Sequence, residues 1–245
     1  FQQALADPTV KNIIFDINSP GGEAAGVFDL VDEIYNARGQ KPIYAIFNDD
    51  GLSAAYAIAS AADKRIVTRT SSVGSIGVVS IHVDQSGYDT QRGLVYTPIF
   101  AGQHKIDFSS HFPLSEEAKA VAQSDVNEIY NVFAETVARN LGLKVDDVKA
   151  TEAGIFSGKK AVQAGLADSV MSWSQFIQKL NTRKYGGVMK LEIEKMFNAL
   201  KESFLALAGE GRSADNVEVG MVSKEEADKF IMAVLLTPVI YIVHN

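Results

Sequence analysis

The sequence predicts an α/β protein in which repeated β-α-β units build a largely parallel sheet. Two compact apolar runs rich in isoleucine, KNIIFDI (11–17) and KPIYAIF (41–47), suit strands buried on both faces. Between them Val27, Leu30, Val31, Ile34 and Tyr35 fall at helical spacing, and Gly39 follows as a stop signal. The pattern then repeats, and strand-helix alternation of this kind folds into a parallel sheet.

Further along, a small-residue helix is expected from Ser53 to Ala62, with RIVT (65–68), IGVVSIHVD (76–84) and LVYTPIF (94–100) as additional strands. Ser115 is the expected N-cap of the longest helix, followed by the acids Glu116 and Glu117. Its apolar stripe is Ala118, Val121, Ala122, Val126, Ile129, Phe133 and Val137, and Gly142 ends it. Shorter helices are expected around 145–150 and 158–164, and WSQFIQKL (173–180) closes the segment. Residues 1–181 are read as one domain, 182–188 as a linker and 189–245 as a helical, partly disordered appendage. In the appendage Leu191, Met196, Phe197, Leu200, Phe204 and Leu207 line one side of an amphipathic helix.

Composition narrows the function classes. Hydrophobic residues at 47% and charged residues at 22% belong to an ordinary globular protein. A formal charge of −7 without a basic cluster argues against nucleic-acid binding. The absence of cysteine excludes disulfides, thiolate zinc sites and a cysteine nucleophile. The apolar run IMAVLLTPVIYIV (231–243) is broken by Thr237 and Pro238 and falls short of the ~20 residues a spanning helix needs, so no membrane span is expected. FQQALADPTV carries neither an initiator methionine nor a signal pattern, so the chain reads as a fragment whose start is missing.

Two strand-to-helix turns could carry chemistry. DINSPGGEAAG (16–26) turns through Pro20, Gly21 and Gly22 into a helix; glycines let another backbone approach, and a helix start offers free N–H groups. The same turn is also an ordinary β-to-α connection. Ser53 repeats the geometry one unit later, ahead of Ala54, Ala55, Ala57 and Ala59. A serine there can be a helix cap. Equally it can be a nucleophile with its hydroxyl facing a cleft, the Ala54 amide beside it and the Gly21 and Gly22 amides opposite. The segment is not a G-x-S-x-G elbow, because position 55 is alanine.

A nucleophilic serine needs a base. Of the four histidines, His82 sits in a strand-like alternation, His244 lies at the chain end, and His104 and His111 bracket Lys105 in FAGQHKIDFSSHF. A lysine serves if desolvation lowers its pKa from about 10.4 toward neutrality. Taken as a lone residue, Lys105 also reads as a solvated surface charge.

Together, NIIFDINSPGGEAAG, SAAYAIASAADKRIV, SSVGSIGVVSIHVD, IFAGQHKIDF, PLSEEAK and ATEAGIFSGKKAVQAGLADSV resemble the signal peptide peptidase A family of Clp-fold serine peptidases, and within it the phage head-maturation proteases. The resemblance implies a Clp/crotonase-like fold whose additional N-terminal strand is missing here. It implies Ser53 as nucleophile and Lys105, 52 positions later, as general base. Gly21 and Gly22 would serve the oxyanion hole with Ala54. Extended substrate would pair along Gly74, Ser75, Ile76, Gly77 and Val78. No metal or cofactor is implied. The implied partners are scaffold, portal or capsid proteins and further copies of the chain in a ring or other oligomer whose neighbours complete each cleft. The implied location is the phage procapsid in the host cytoplasm, or the bacterial cytoplasm for a prophage product. The appendage resembles the scaffolding segment that follows some phage relatives.

Three alternatives remain open at this point. One is a cellular peptidase degrading membrane-derived peptides, another a non-catalytic assembly module, and the third acyl-CoA chemistry on the similar crotonase fold.

Overall fold

A computed structural model describes residues 1–184 and 240–242. The elements in order are α1 (Gln2–Ala6), β1 (Ile13–Ser19), α2 (Val27–Asn36), β2 (Ile43–Leu52), α3 (Ala54–Ser60), β3 (Lys64–Val67), β4 (Ser72–Gly74), α4 (Ser86–Gln91), α5 (Glu116–Leu141), α6 (Val145–Lys149), β5 (Ile155–Ser157), α7 (Gly158–Gln163), β6 (Ser169–Val170), α8 (Trp173–Lys184) and β7 (Ile240–Ile242). The chain divides into two units, Phe1–Val170 with Ile242–Asn245, and Met171–Tyr241.

In the first unit β2 is the central strand. It runs parallel to β1, with Ile13 opposite Ile43 and Phe15 opposite Ala45. Along its other edge β2 pairs first with β3, from Tyr44 to Phe47, and then with β4, from Asp50 to Leu52. β6 extends the sheet in parallel beyond β3, and β5 adds an antiparallel strand beyond β4. The mostly parallel α/β architecture expected from the strand-helix alternation is therefore present.

The largest apolar cluster lies on one face of this sheet, and Ile14, Ile46 and Ile66 are buried on the other. Ile13, Ile43, Ala45 and Phe47 meet Val31 and Ile34 of α2, Tyr56 and Ala57 of α3, and Phe133 and Val137 of α5. The alanines of α3 are what let it sit so deep: Ala55, Tyr56, Ala57, Ala59 and Ser60 are all buried. Its C-terminal carbonyls would be left without partners there. Arg38 supplies the donors, with Nε bonded to Ala61 O at 2.8 Å and Nη2 to Ser60 O and Ala62 O at 2.9 Å each. The same guanidinium reaches Asn140 O in the last turn of α5 at 3.1 Å. One side chain thus fixes the ends of two helices.

α5 starts as expected, with Ser115 Oγ accepting from the Ala118 N–H at 3.0 Å, and ends at Gly142 in the left-handed region. Asp168 straps β3 to the β6 side, accepting from Lys64 Nζ at 3.0 Å, the Arg65 N–H at 2.8 Å and Arg65 Nη2 at 2.7 Å.

Two expected strands differ. Residues 76–84 and 94–100 enter no ladder, and Val79, Ile81, Val95 and Ile99 are exposed. Their alternation signals a strand, but a strand also needs a neighbouring edge, and among the described residues this arm has none. The helical turns α1 and α4 are additional to the elements expected.

In the second unit α8 begins with a reciprocal cap, in which Ser172 Oγ accepts from the Gln175 N–H at 3.3 Å and Gln175 Oε1 accepts from the Ser172 N–H at 2.9 Å. It continues to Lys184, so the segment read as a linker starts as helix. The rest of that linker, and the appendage up to 239, lie outside the described residues. No helix among the described residues is long and apolar enough to cross a membrane.

Candidate active site

Ser53 stands at the junction of β2 and α3 with φ 51° and ψ −125°. These are the angles of the first central position of a type II′ turn, where glycine is the default. The backbone is held there from both sides: the Ser53 N–H donates to Gly74 O at 2.9 Å, and the Ser53 carbonyl accepts from the Ala57 N–H at 3.0 Å. Although Ser53 occupies the N-cap position, its hydroxyl makes no cap hydrogen bond. The strain and the free hydroxyl together distinguish it from Ser115, which caps in the ordinary way.

The Pro20-Gly21-Gly22 turn lies directly against it. Gly21 has φ +105°, and a Cβ there would come within 2.6 Å of Ser53 Cβ and 3.1 Å of the Ala54 nitrogen. A side chain at 21 would therefore displace the serine. The Gly21 N–H donates to Ser19 Oγ at 3.2 Å. Gly22 faces open space, and the Ala54 N–H opens α3, where no intrahelical acceptor exists.

A cleft of about 180 Å³ opens at this junction. It is lined by Gly22, Glu23 and Ala24, by Val27 and Phe28 of α2, by Ser53 and Ala54, by Gly77, Val78 and Val79, and by Ile129 and Phe133 of α5. Apart from Ser53 and Glu23 the lining is apolar or glycine.

Of the expected substrate strand, Gly77 and Val78 reach the cleft, while Gly74, Ser75 and Ile76 hold the segment in place. Gly74 has φ +114° and passes so close to the turn before β5 that a Cβ would lie 2.5 Å from Gly154 O. The Ser75 N–H donates to that same carbonyl at 2.9 Å, and Ile76 is fully buried.

Lys105 does not line this cleft. It is exposed, in the turn after residue 100, and two residues earlier Gln103 Nε2 donates to Glu117 Oε1 at 3.0 Å. Glu117 is in the first turn of α5, whereas the cleft lies beside Ile129 and Phe133 on the same helix. At about 1.5 Å per residue these points are roughly 18 to 24 Å apart along the axis. Lys105 is thus not among the residues that line its own chain's cleft, whereas Ser53 is. Among the described histidines, His104 pairs with Asp107 at 2.8 Å and His111 with Asp89 at 2.8 Å, and none lines the cleft.

Ile129 and Phe133 were legible only as members of the apolar stripe of α5, because an i, i+4 pair looks the same whether it faces a core or a cleft. Glu23 carried no signal beyond its place after the glycine pair.

A strained, uncapped serine at a strand-to-helix junction, lining an apolar cleft and backed by a glycine turn, is an arrangement that nucleophilic catalysis could use. Residues 36–185 match peptidase family S49, and the chain belongs to that family. It is 44% identical over 192 residues to the head-tail preconnector protein GP5 of Enterobacteria phage P21, covering 77% of this chain and 38% of that protein. It is 39% identical over 171 residues to capsid assembly protease C of Escherichia phage lambda, covering 70% and 39%. A putative signal peptide peptidase SppA of Enterococcus faecium is 30% identical over 166 residues, covering 67% and 48%. The chain thus spans less than half the length of each of these relatives.

Proposed function

We propose that this chain is the peptidase part of a serine endopeptidase that cleaves scaffold and other head proteins, portal or capsid among them, during phage procapsid maturation. The observation that carries the reading is Ser53: strained, uncapped, at the mouth of an apolar cleft, in a chain of peptidase family S49. Two relatives at 44% and 39% identity whose names concern capsid assembly and the head-tail preconnector support the phage setting. The reaction would accordingly take place inside the procapsid in the host cytoplasm, or in the bacterial cytoplasm for a prophage product.

In this reading Ser53 Oγ attacks the scissile carbonyl carbon while neutral Lys105 Nζ takes its proton. The oxyanion is held by amides around Gly21, Gly22 and Ala54, and the lysine returns the proton to the leaving amine. Water then hydrolyses the acyl-enzyme by the same path in reverse. Extended substrate adds alongside residues 74–80. In this reading Lys105 comes from a neighbouring copy, which its absence from the lining of its own chain's cleft supports, and docking of that copy would also desolvate the ammonium. The peptidase domain is taken as 1–181, followed by the linker 182–188 and a scaffold-like appendage from 189. No metal or cofactor enters the reaction.

The test is cleavage by the full-length protein of itself and of co-expressed scaffold, with cut sites mapped by mass spectrometry. Wild type should cut, and Ser53→Ala and Lys105→Ala should each lose at least a thousandfold in rate. A folded, assembled wild type that is inert would leave the assembly-module reading in place. Preference for membrane-derived peptides over head proteins would favour the cellular peptidase reading.

A further inference from the structure

The arm that carries Lys105 has little apolar core of its own. Val79, Ile81, Val95 and Ile99 are 78%, 79%, 88% and 97% exposed. Its shape is set instead by a polar knot. Asp89 of α4 is only 5% exposed, and its Oδ2 lies 2.8 Å from Nδ1 of His111. The Tyr96 ring stacks on that imidazole at 3.7 Å with an interplanar angle of 18°. Gln85 lies on the other side, Nε2 being 3.1 Å from the same nitrogen, and the Gln85 N–H donates to Ser110 O at 2.8 Å. The Leu94 N–H donates to Asp89 O at 2.9 Å, and His82 Nε2 is 3.2 Å from Phe112 O.

A carboxylate is costly to bury unless a donor answers it. Here the donor is His111 Nδ1–H: with its proton on Nδ1 the imidazole answers the buried carboxylate in a charge-assisted bond, whereas an unprotonated Nδ1, accepting from Gln85 Nε2, would leave that carboxylate without the imidazole as donor. Residues 85 to 89 are thereby pinned to 110 and 111, and the stretch between them is closed into a loop with Lys105 near its far end. The Gln103–Glu117 bond ties that end to α5. A general base must come within about 2.6 to 3.2 Å of the proton it takes, so the backbone from which a flexible lysine starts has to be fixed.

We propose that His111, oriented by Asp89, is the positioning residue for Lys105: the imidazole–carboxylate pair sets the loop from which the lysine enters the nucleophile's site. The inference rests on the reading of Lys105 as general base, and deepens it.

The experiment is a double-mutant cycle on the full-length assembled protein, using a peptide substrate cut by the wild type and the rate at which a fluorophosphonate labels Ser53. His111→Ala should lower kcat by about a hundredfold with KM changed less than about threefold, as expected for misplacement of a catalytic group. His111→Asn, which keeps an N–H near the position of Nδ1, should recover most of that loss. In the Lys105→Ala background His111→Ala should have no further effect on the residual labelling rate, because a residue acting only through Lys105 has nothing left to act on. Should His111→Ala not assemble, Asp89→Asn takes its place in the same cycle. Wild-type kcat in an assembled His111→Ala protein, a loss confined to KM, or losses that multiply with Lys105→Ala would overturn the positioning role while leaving the base intact. Full activity of Lys105→Ala would remove the base itself, and the positioning role with it.

Discussion

Ser53 combines a backbone angle that favours glycine with the hydroxyl that glycine lacks. Such an angle costs a residue with a Cβ on the order of 1 to 3 kcal/mol, and the cost persists only where the surroundings enforce it. The bonds to Gly74 O and from Ala57 N enforce it here. Ser53→Gly should therefore raise the stability of the protein by about 1 kcal/mol while abolishing hydrolysis, whereas Ser53→Ala should abolish hydrolysis with no gain. Thermal melts of the two variants beside wild type check this, and a lower melting temperature for Ser53→Gly would refute it. At this scale the serine was legible as the break between an apolar run and an alanine-rich helix. Its angle was not, because one of the two bonds that enforce it comes from Gly74 on another strand, and the room beside it comes from Gly21 in the turn after a third.

Among the elements, the straps that hold the sheet have opposite pH signatures. Burial alone would raise the Asp168 carboxyl, but the Arg65 N–H, the Arg65 guanidinium and the Lys64 ammonium outweigh it and hold the group below its ordinary range. Its contribution is then complete above the unfolded value, about pH 4, and is lost as pH falls through the folded one. Asp16 on β1 goes the other way, since burial raises its carboxyl more than the bond from Asn48 lowers it. Ionised at neutral pH, it costs stability, a cost that protonation removes as pH falls through its raised folded value and then the unfolded one. Melting curves from pH 7 to pH 3 should show Asp168→Asn below wild type at neutrality and converging in acid, and Asp16→Asn above wild type at neutrality and likewise converging. Parallel offsets across the range would contradict both assignments. Strands β1 to β3 and helices α2, α3 and α5 to α7 were legible, because two-sided burial writes continuous apolar runs for strands and helical stripes for helices, whereas the two- and three-residue strands β4, β5 and β6 are too short to carry such a pattern. Arm residues 76–84 and 94–100 carried an equally clear alternation, yet pairing is a property of two edges and a sequence displays only one of them.

For the molecule as a whole, the proposed pairing of Ser53 with Lys105 is a question of assembly, because Lys105 does not line its own chain's cleft. Co-expressed Ser53→Ala and Lys105→Ala chains, each inert alone, should regain about a quarter of the wild-type rate when mixed equally. A quarter of the junctions then join an intact serine to an intact lysine. An inert mixture would assign the lysine to its own chain's cleft. Nothing in the motif spacing could have revealed this, since the 52 positions between the residues are compatible with either arrangement. If the proposed serine and base come from different copies, output should follow mass action. Newly made chains, dilute among host proteins, would then stay silent, and hydrolysis would climb steeply with crowding, so that packing the molecules together would itself be the signal to cut.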